Sequence, residues 1–430
     1  MTNFTKKILT TVILIVAFYL GVNGQTNVSG GIYTNTTWTL ANSPYIIVDT
    51  VVVFPGVTLT IQPGVQVKFN DSMRLENRQA NIIAIGTITD SITFTSNSSS
   101  PSPGSWKEIF FNENISSIFK YCHFKYAKTA VFYLANGTNQ ILNIKNSTFD
   151  YNLNCLNVVN NNNSTSYVDS CSFRKNSAVV QTPTYLTKQL MMNHCSIVNN
   201  LLGLDFAYST IENSIIDSNA TGIKIHLNDN VLNCKIRYNA IGIQNQYISS
   251  TGGNIITGNE INNNVIGISL NINGDNFSSN QICNNTDYNL KYLYTGGNTD
   301  VSNNCWCSMD SSIISAKIYD GYDNFNYGLA HFMPLDTSQS CLIAGISASV
   351  FQNYSFDIFP NPTSDYLTVA LPRSISSPVI EIFNMLGELE YSSTVTMQKT
   401  DIDVSGFTSG LHIIQIATTD NISRRKFIKK

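Results

Sequence analysis

Five charged residues hold the same place in a phrase that the chain repeats: Lys125, Asp150, Arg174, Asp217 and Arg237, with Val198 and Asn262 in that place in other copies. Each follows a Phe or Ile that period-2 alternation turns inward, so the five face outward together. Opposite charges then fall on neighbouring copies. That arrangement is either a ladder of surface ion pairs, each worth roughly 0–1 kcal/mol, or a stripe that binds a glycan. Cleaving an acidic sugar chain at such a stripe would need clustered carboxylates to hold Ca2+ and a Lys or Arg base. Here carboxylates alternate with cations, which disfavours a Ca2+ site.

Other routes to chemistry are thin. The five histidines (His123, His194, His226, His331, His412) show no metal spacing. No phosphate-cradling glycine loop or nucleophile elbow is present, so neither a metal nor a cofactor is expected. Asp320 and Asp323 are a close acid pair best read as turn chemistry. With 12% charged residues and a net charge of −3, nothing points to nucleic acid.

The phrase that carries the five charges is clearest at 234–243, Cys-Lys-Ile-Arg-Tyr-Asn-Ala-Ile-Gly-Ile. Its asparagine recurs at Asn152, Asn176, Asn200, Asn219, Asn239, Asn264 and Asn285, in steps of 24, 24, 19, 20, 25 and 21. Each copy reads as an alternating strand, an Asn corner and a second short strand, with Asn and Gly as turn punctuation. Asn is suited to a left-handed corner and, once stacked, to an amide ladder. The 54 asparagines outnumber Asp, Glu, Lys and Arg together. Nothing of helical period fits inside a step. Rungs of about 22 residues rising about 4.8 Å each make an all-β solenoid, and the uneven steps suit a right-handed parallel β-helix over residues 25–340.

Inside that solenoid, Cys122, Cys171, Cys195 and Cys234 lie two residues before the inward Phe or Ile, in one column with Ser147 and Ser214. They read as packed thiols rather than as a disulfide framework. Cys283, Cys305, Cys307 and Cys341 fall near a closing cap, where a disulfide remains open. Residues 1–24 have the charged head, apolar core and small-residue exit of a secretory signal, and no second membrane-spanning run follows. A linker is placed at 341–352. Residues 353–430 lose the Asn phrase and read as a small antiparallel sandwich, with strands around 366–369, 379–383 and 411–417.

Two resemblances follow from these motifs. The opening run (Trp38, the Pro-Gly strands at 54–69, Gly86, 92–95) and the Asn-Ala-Ile-Gly-Ile phrases resemble bacterial surface-exposed right-handed β-helices of the pectate-lyase-like and NosD-like repeat families. This implies a fold more than a function. The motifs at 356–367, 380–387, 402–405, 409–415 and 426–430 resemble the type A sorting domain of the type IX (Por) secretion system. On that resemblance Pro360, Asn361, Pro362, Gly387, Gly410, Lys426, Lys429 and Lys430 belong to the sorting signal. The partner is then the secretion machinery, and the destination is the outer surface or the medium. The expected function is non-catalytic, adhesin-like binding of a glycan or surface, with a polysaccharide lyase or glycoside hydrolase as the rival.

Overall fold

The computed structural model describes residues 24–113, 116–135, 141–160, 164–181, 189–245, 252–336, 356–371, 378–384, 388–395, 397–417 and 422–430. The secretory signal (save Gly24), the linker at 341–352 and Gly387 lie outside them. The chain divides into two compact units, 1–344 and 345–430.

The first unit is a right-handed parallel β-helix with three faces. The first face is an eleven-stranded parallel sheet that includes Ser116–Lys120, Ile141–Lys145, Ser166–Asp169, Leu190–Asn193 and Thr210–Glu212. The second consists of short strands such as Cys122–Lys125, Thr148–Asp150, Ser172–Arg174, Ile215–Asp217 and Lys235–Arg237. The third includes Ala127–Ala135, Leu202–Phe206, Thr221–Ile225 and Ile241–Asn245. Along the second face, the register carries one rung onto the next: Phe124 faces Phe149, which faces Phe173, which faces Ile197. Those inward rings stack with centroids 4.6 and 4.8 Å apart. Each such pair adds about 0.5–1.5 kcal/mol beyond its buried area.

The asparagines are aligned on successive rungs, but their role differs from that expected. Asn152, Asn176, Asn200, Asn219, Asn239, Asn264 and Asn285 are buried and point inward. Each Nδ2 donates to the Oδ1 of the next asparagine at about 3.0 Å, and so does each backbone N–H. The left-handed backbone belongs to the residue before each one: Tyr151, Lys175, Asn199, Ser218, Tyr238, Asn263 and Asn284, with φ between 54° and 58°. The amide thus serves the buried carbonyls that a sharp corner would leave unpaired, while an exposed neighbour takes the strained torsion.

Glycine also departs from expectation. Gly203, Gly222, Gly242 and Gly267 are not turn residues; they sit within third-face strands. A Cβ on Gly222 would lie 2.6 Å from the Gly242 carbonyl oxygen, and one on Gly242 2.5 Å from that of Gly267. Close rung-to-rung approach excludes a side chain there.

Cys122, Cys171, Cys195 and Cys234 are free and buried, and the backbone N–H groups of Cys122 and Cys195 donate to the Ser147 and Ser214 hydroxyls of their column. Burial pushes the Cys195 and Cys234 thiols up to about 12, so they stay protonated and inert. At the C-terminal end Cys283 is bridged to Cys307, with Cα atoms 5.8 Å apart. Asp320 and Asp323 cap turns, Asp320 accepting from the N–H groups of Tyr322 and Ala330.

The second unit pairs a three-stranded with a four-stranded antiparallel sheet around Leu367, Val369, Ile380, Ile382, Ile414, Ile416 and Phe427. Asn361 ties its start to its end: Oδ1 accepts from Ile428 N–H and Nδ2 donates to Lys426 carbonyl. The Pro-Asn-Pro motif and the basic ending are therefore one local structure.

Candidate functional site

The five outward charges lie in one register column, as Lys125–Asp150–Arg174 and Asp217–Arg237. Arg174 Nε is 3.2 Å from Asp150, and an Arg237 Nη is 3.3 Å from Asp217. The column is far from open. Asp150 is 8% exposed and Arg237 5%, and each is paired with the opposite charge on a neighbouring rung, Arg174 and Asp217. Of the two readings that the sequence leaves open for this column, the ion pairs are present, in a half-buried ladder. Corner side chains fold over it: Arg237 lies on the Tyr238 ring, at 5.7 Å.

A different constellation occupies the first face. Period-2 alternation turns every second residue outward, and register sets two outward columns side by side. One runs Asn143, Tyr167, Met191, Thr210; the other runs Lys120, Lys145, Asp169, Asn193, Glu212. Together with the corner residue His194 they line, from Lys145 onward, a shallow groove of about 470 Å3, with Lys120 one rung outside it. Tyr167 and Met191, 39% and 40% exposed, form an apolar floor on adjacent rungs. Charged and hydrogen-bonding side chains edge it.

His194 holds φ at 51° at the corner into the second face, which keeps its side chain outside the core. Its Nδ1 lies 3.4 Å from an Asp169 carboxylate oxygen on the rung before. That contact orients Nδ1 toward the carboxylate, with Nε2 on the opposite edge of the ring. Glu212 lies two rungs beyond Asp169, roughly 10 Å at the rung spacing. The groove therefore combines an apolar floor for a ring, an oriented imidazole, two carboxylates and an adjacent cation.

A second imidazole–carboxylate pair sits on the third face. His226 Nε2 is 2.7 Å from Asp205, and Asp229 accepts the His226 backbone N–H. Desolvation raises the Asp229 carboxyl well above its usual range, with the neighbouring Asp275 acting in the same direction. Asp229 replaces an amide in another buried corner column with Asn254 and Asp275, a structural use of the carboxyl. Among the described residues no three His, Cys, Asp or Glu side chains converge as metal ligands, and no helix is long and apolar enough to cross a membrane.

The groove was missed in the sequence, although its signal is there. Lys120, Lys145, Asp169, Asn193 and Glu212 all stand two residues before the inward Cys or Ser of their rung. Reading the phrase only downstream of that column hid them.

Comparison with known proteins separates the two units. The family of secretion system C-terminal sorting domains matches residues 357–430. The chain is therefore addressed to the type IX machinery and exported to the cell surface or beyond. An ulvan lyase of Nonlabens ulvanivorans is 32% identical over 103 residues, which is 23% of this chain and 19% of the lyase. The chain thus spans about a fifth of that relative's length. Among solved structures, the A-modules of two mannuronan C-5 epimerases of Azotobacter vinelandii, AlgE4 and AlgE6, are similar at 12% and 13% identity. Each similarity covers 62% of this chain and 87% or 85% of the module, with TM-scores of 0.25 and 0.27.

Proposed function

We propose that this exported β-helix, delivered with a cleaved signal at 1–24, is a polysaccharide-degrading enzyme that acts by β-elimination on a uronate-containing glycan in the first-face groove. The carrying observation is the oriented His194–Asp169 pair beside an exposed aromatic floor and a cation. In the reaction His194 Nε2 takes the proton from the carbon next to the uronate carboxylate. The C–O bond to the neighbouring sugar breaks, a C=C bond forms in the ring, and the leaving oxygen takes a proton. Asp169 stabilises the imidazolium that forms, Lys145 balances the carboxylate, and Tyr167 carries the ring and an O–H near the leaving oxygen. General acid–base catalysis of this kind contributes about 10²–10⁴-fold.

The stretch of identity with an ulvan lyase supports this reading over adhesion. So does the ion-pair ladder, whose buried charges leave an adhesin little to bind with.

Purified protein is incubated with ulvan, polygalacturonate and a neutral glucan, and both reducing ends and unsaturated ends are measured. Unsaturated ends from an acidic glycan, lost by about 10²-fold or more in His194→Ala, are expected. Reducing ends without unsaturation would make the enzyme a hydrolase. Tight binding with no product from any glycan would return the protein to the adhesins.

A further inference from the structure

On the first face, Lys120 and Lys145 are direct register partners on adjacent strands. Like charges set directly opposite each other in a sheet oppose its pairing. No other strand pair of the described solenoid sets two cations opposite each other, and neither lysine has a carboxylate within ion-pair distance among the described residues. The second face solves the same problem on the same rungs by alternating sign, Lys125 against Asp150 against Arg174. The next residue in the Lys120–Lys145 column is Asp169, and its carboxylate is turned to His194. Lys120 is braced against the surface, its Nζ 5.3 Å from the centre of the Tyr121 ring. The column thus separates its charges along the solenoid, cations toward the N-terminal rungs and acids toward the C-terminal ones.

Resting on the reading of the groove as a glycan site, we propose that Lys120 and Lys145 form an anion subsite that orients an acidic polysaccharide along the first face. Two lysines whose strands lie about 4.8 Å apart take the negative groups of consecutive or doubly charged sugars. The chain then lies with its bound anions toward the N-terminal rungs and its reacting sugar over Tyr167 and His194. Lysine suits this role as a compact point charge that tolerates carboxylate and sulfate alike.

The test measures affinity calorimetrically in the His194→Ala background, where cleavage does not interfere, at two salt concentrations. Probes are polygalacturonate (carboxylates), dextran sulfate (sulfates) and plain dextran. The expected result is binding of one or both anionic polymers but not dextran. Lys120→Gln with Lys145→Gln should then weaken it about tenfold or more and flatten its salt dependence, while Lys224→Gln on the third face changes nothing. The arm that binds identifies the anion. Unchanged affinity in the double lysine variant, or equal binding of dextran, overturns the subsite. Lysine-dependent binding by a protein that cleaves nothing would sink the lyase reading and leave the subsite standing; cleavage indifferent to both lysines would sink the subsite, together with the role of Lys145 at the reacting carboxylate, and leave the His194 chemistry standing.

Discussion

Two outward columns climb the same rungs of this solenoid, and they treat charge in opposite ways. On the second face, sign alternates from Lys125 to Asp150 to Arg174, and from Asp217 to Arg237; Asp150 pairs with Arg174 and Asp217 with Arg237, and exposure falls to as little as 5%. On the first face Lys120 and Lys145 stand together, Asp169 turns to a histidine, and Glu212 stands apart. Alternation spends its charges on the fold. Segregation leaves them available, at a cost the fold must carry elsewhere. Charge on a β-helix marks a site where it is left unbalanced, not where it is abundant.

The largest expected effect breaks the frame that holds both columns in register. Asn200 donates to the Phe173 carbonyl and to Asn219, and accepts from both Asn176 nitrogens. Asn200→Ala strands several buried polar groups at about 1–3 kcal/mol each, for a total of roughly 4 kcal/mol. Denaturant unfolding should read that loss. A loss below about 1 kcal/mol would mean that the amide ladder is ornamental and that strand pairing alone keeps the columns aligned.

Much of this frame was legible in the sequence. The spacing of Asn152 through Asn285 identified the rungs, and the parity of Cys122, Cys171, Cys195 and Cys234 put them inside. What misled was attributing the corner torsion to the asparagine when Tyr151, Lys175 or Tyr238 holds it. Sequence spacing locates a corner but not which of its residues bends, because the exposed residue tolerates the torsion and the buried one supplies the hydrogen bonds. The glycines misled for a related reason: Gly222 is required by a carbonyl on the next rung, a contact 20 residues away that no local pattern contains. The site was harder still. Both columns carry charged residues at regular spacing, and only the three-dimensional pairing reveals that Arg237 is used up while Lys145 is not. The sorting domain was easier to read, since the Asn361 side chain itself joins the Pro-Asn-Pro segment to the backbone of the terminal strand at Lys426 and Ile428.

A smaller effect sharpens the contrast from the second face. Arg237 is nearly enclosed, and its removal leaves Asp217 short of its partner in a half-buried position. Losing one member of a buried pair costs roughly 3 kcal/mol. Arg237→Ala should lower the melting temperature, while cleavage per folded molecule survives. A variant that folds as well as the native chain yet loses glycan cleavage would restore the second face as the working surface.

The smallest effects are the most telling, because their signs differ. Arg174 is half exposed and pairs with Asp150 at 3.2 Å, so Arg174→Ala should cost less than about 1 kcal/mol. Lys145→Gln removes a charge that faces a like charge at strand spacing. It should leave stability unchanged or raise it by a few tenths of a kcal/mol, roughly the size of one unfavourable cross-strand pair. Both variants are compared by chemical denaturation at low salt, where surface charge is least screened. High salt should shrink the difference between them. If Lys145→Gln instead destabilises as Arg174→Ala does, its ammonium has a partner within the fold, and the first-face column is one more ion-pair ladder. If the signs oppose, the solenoid tolerates Lys145 beside Lys120 against its own stability, which is what a position held for a ligand would require.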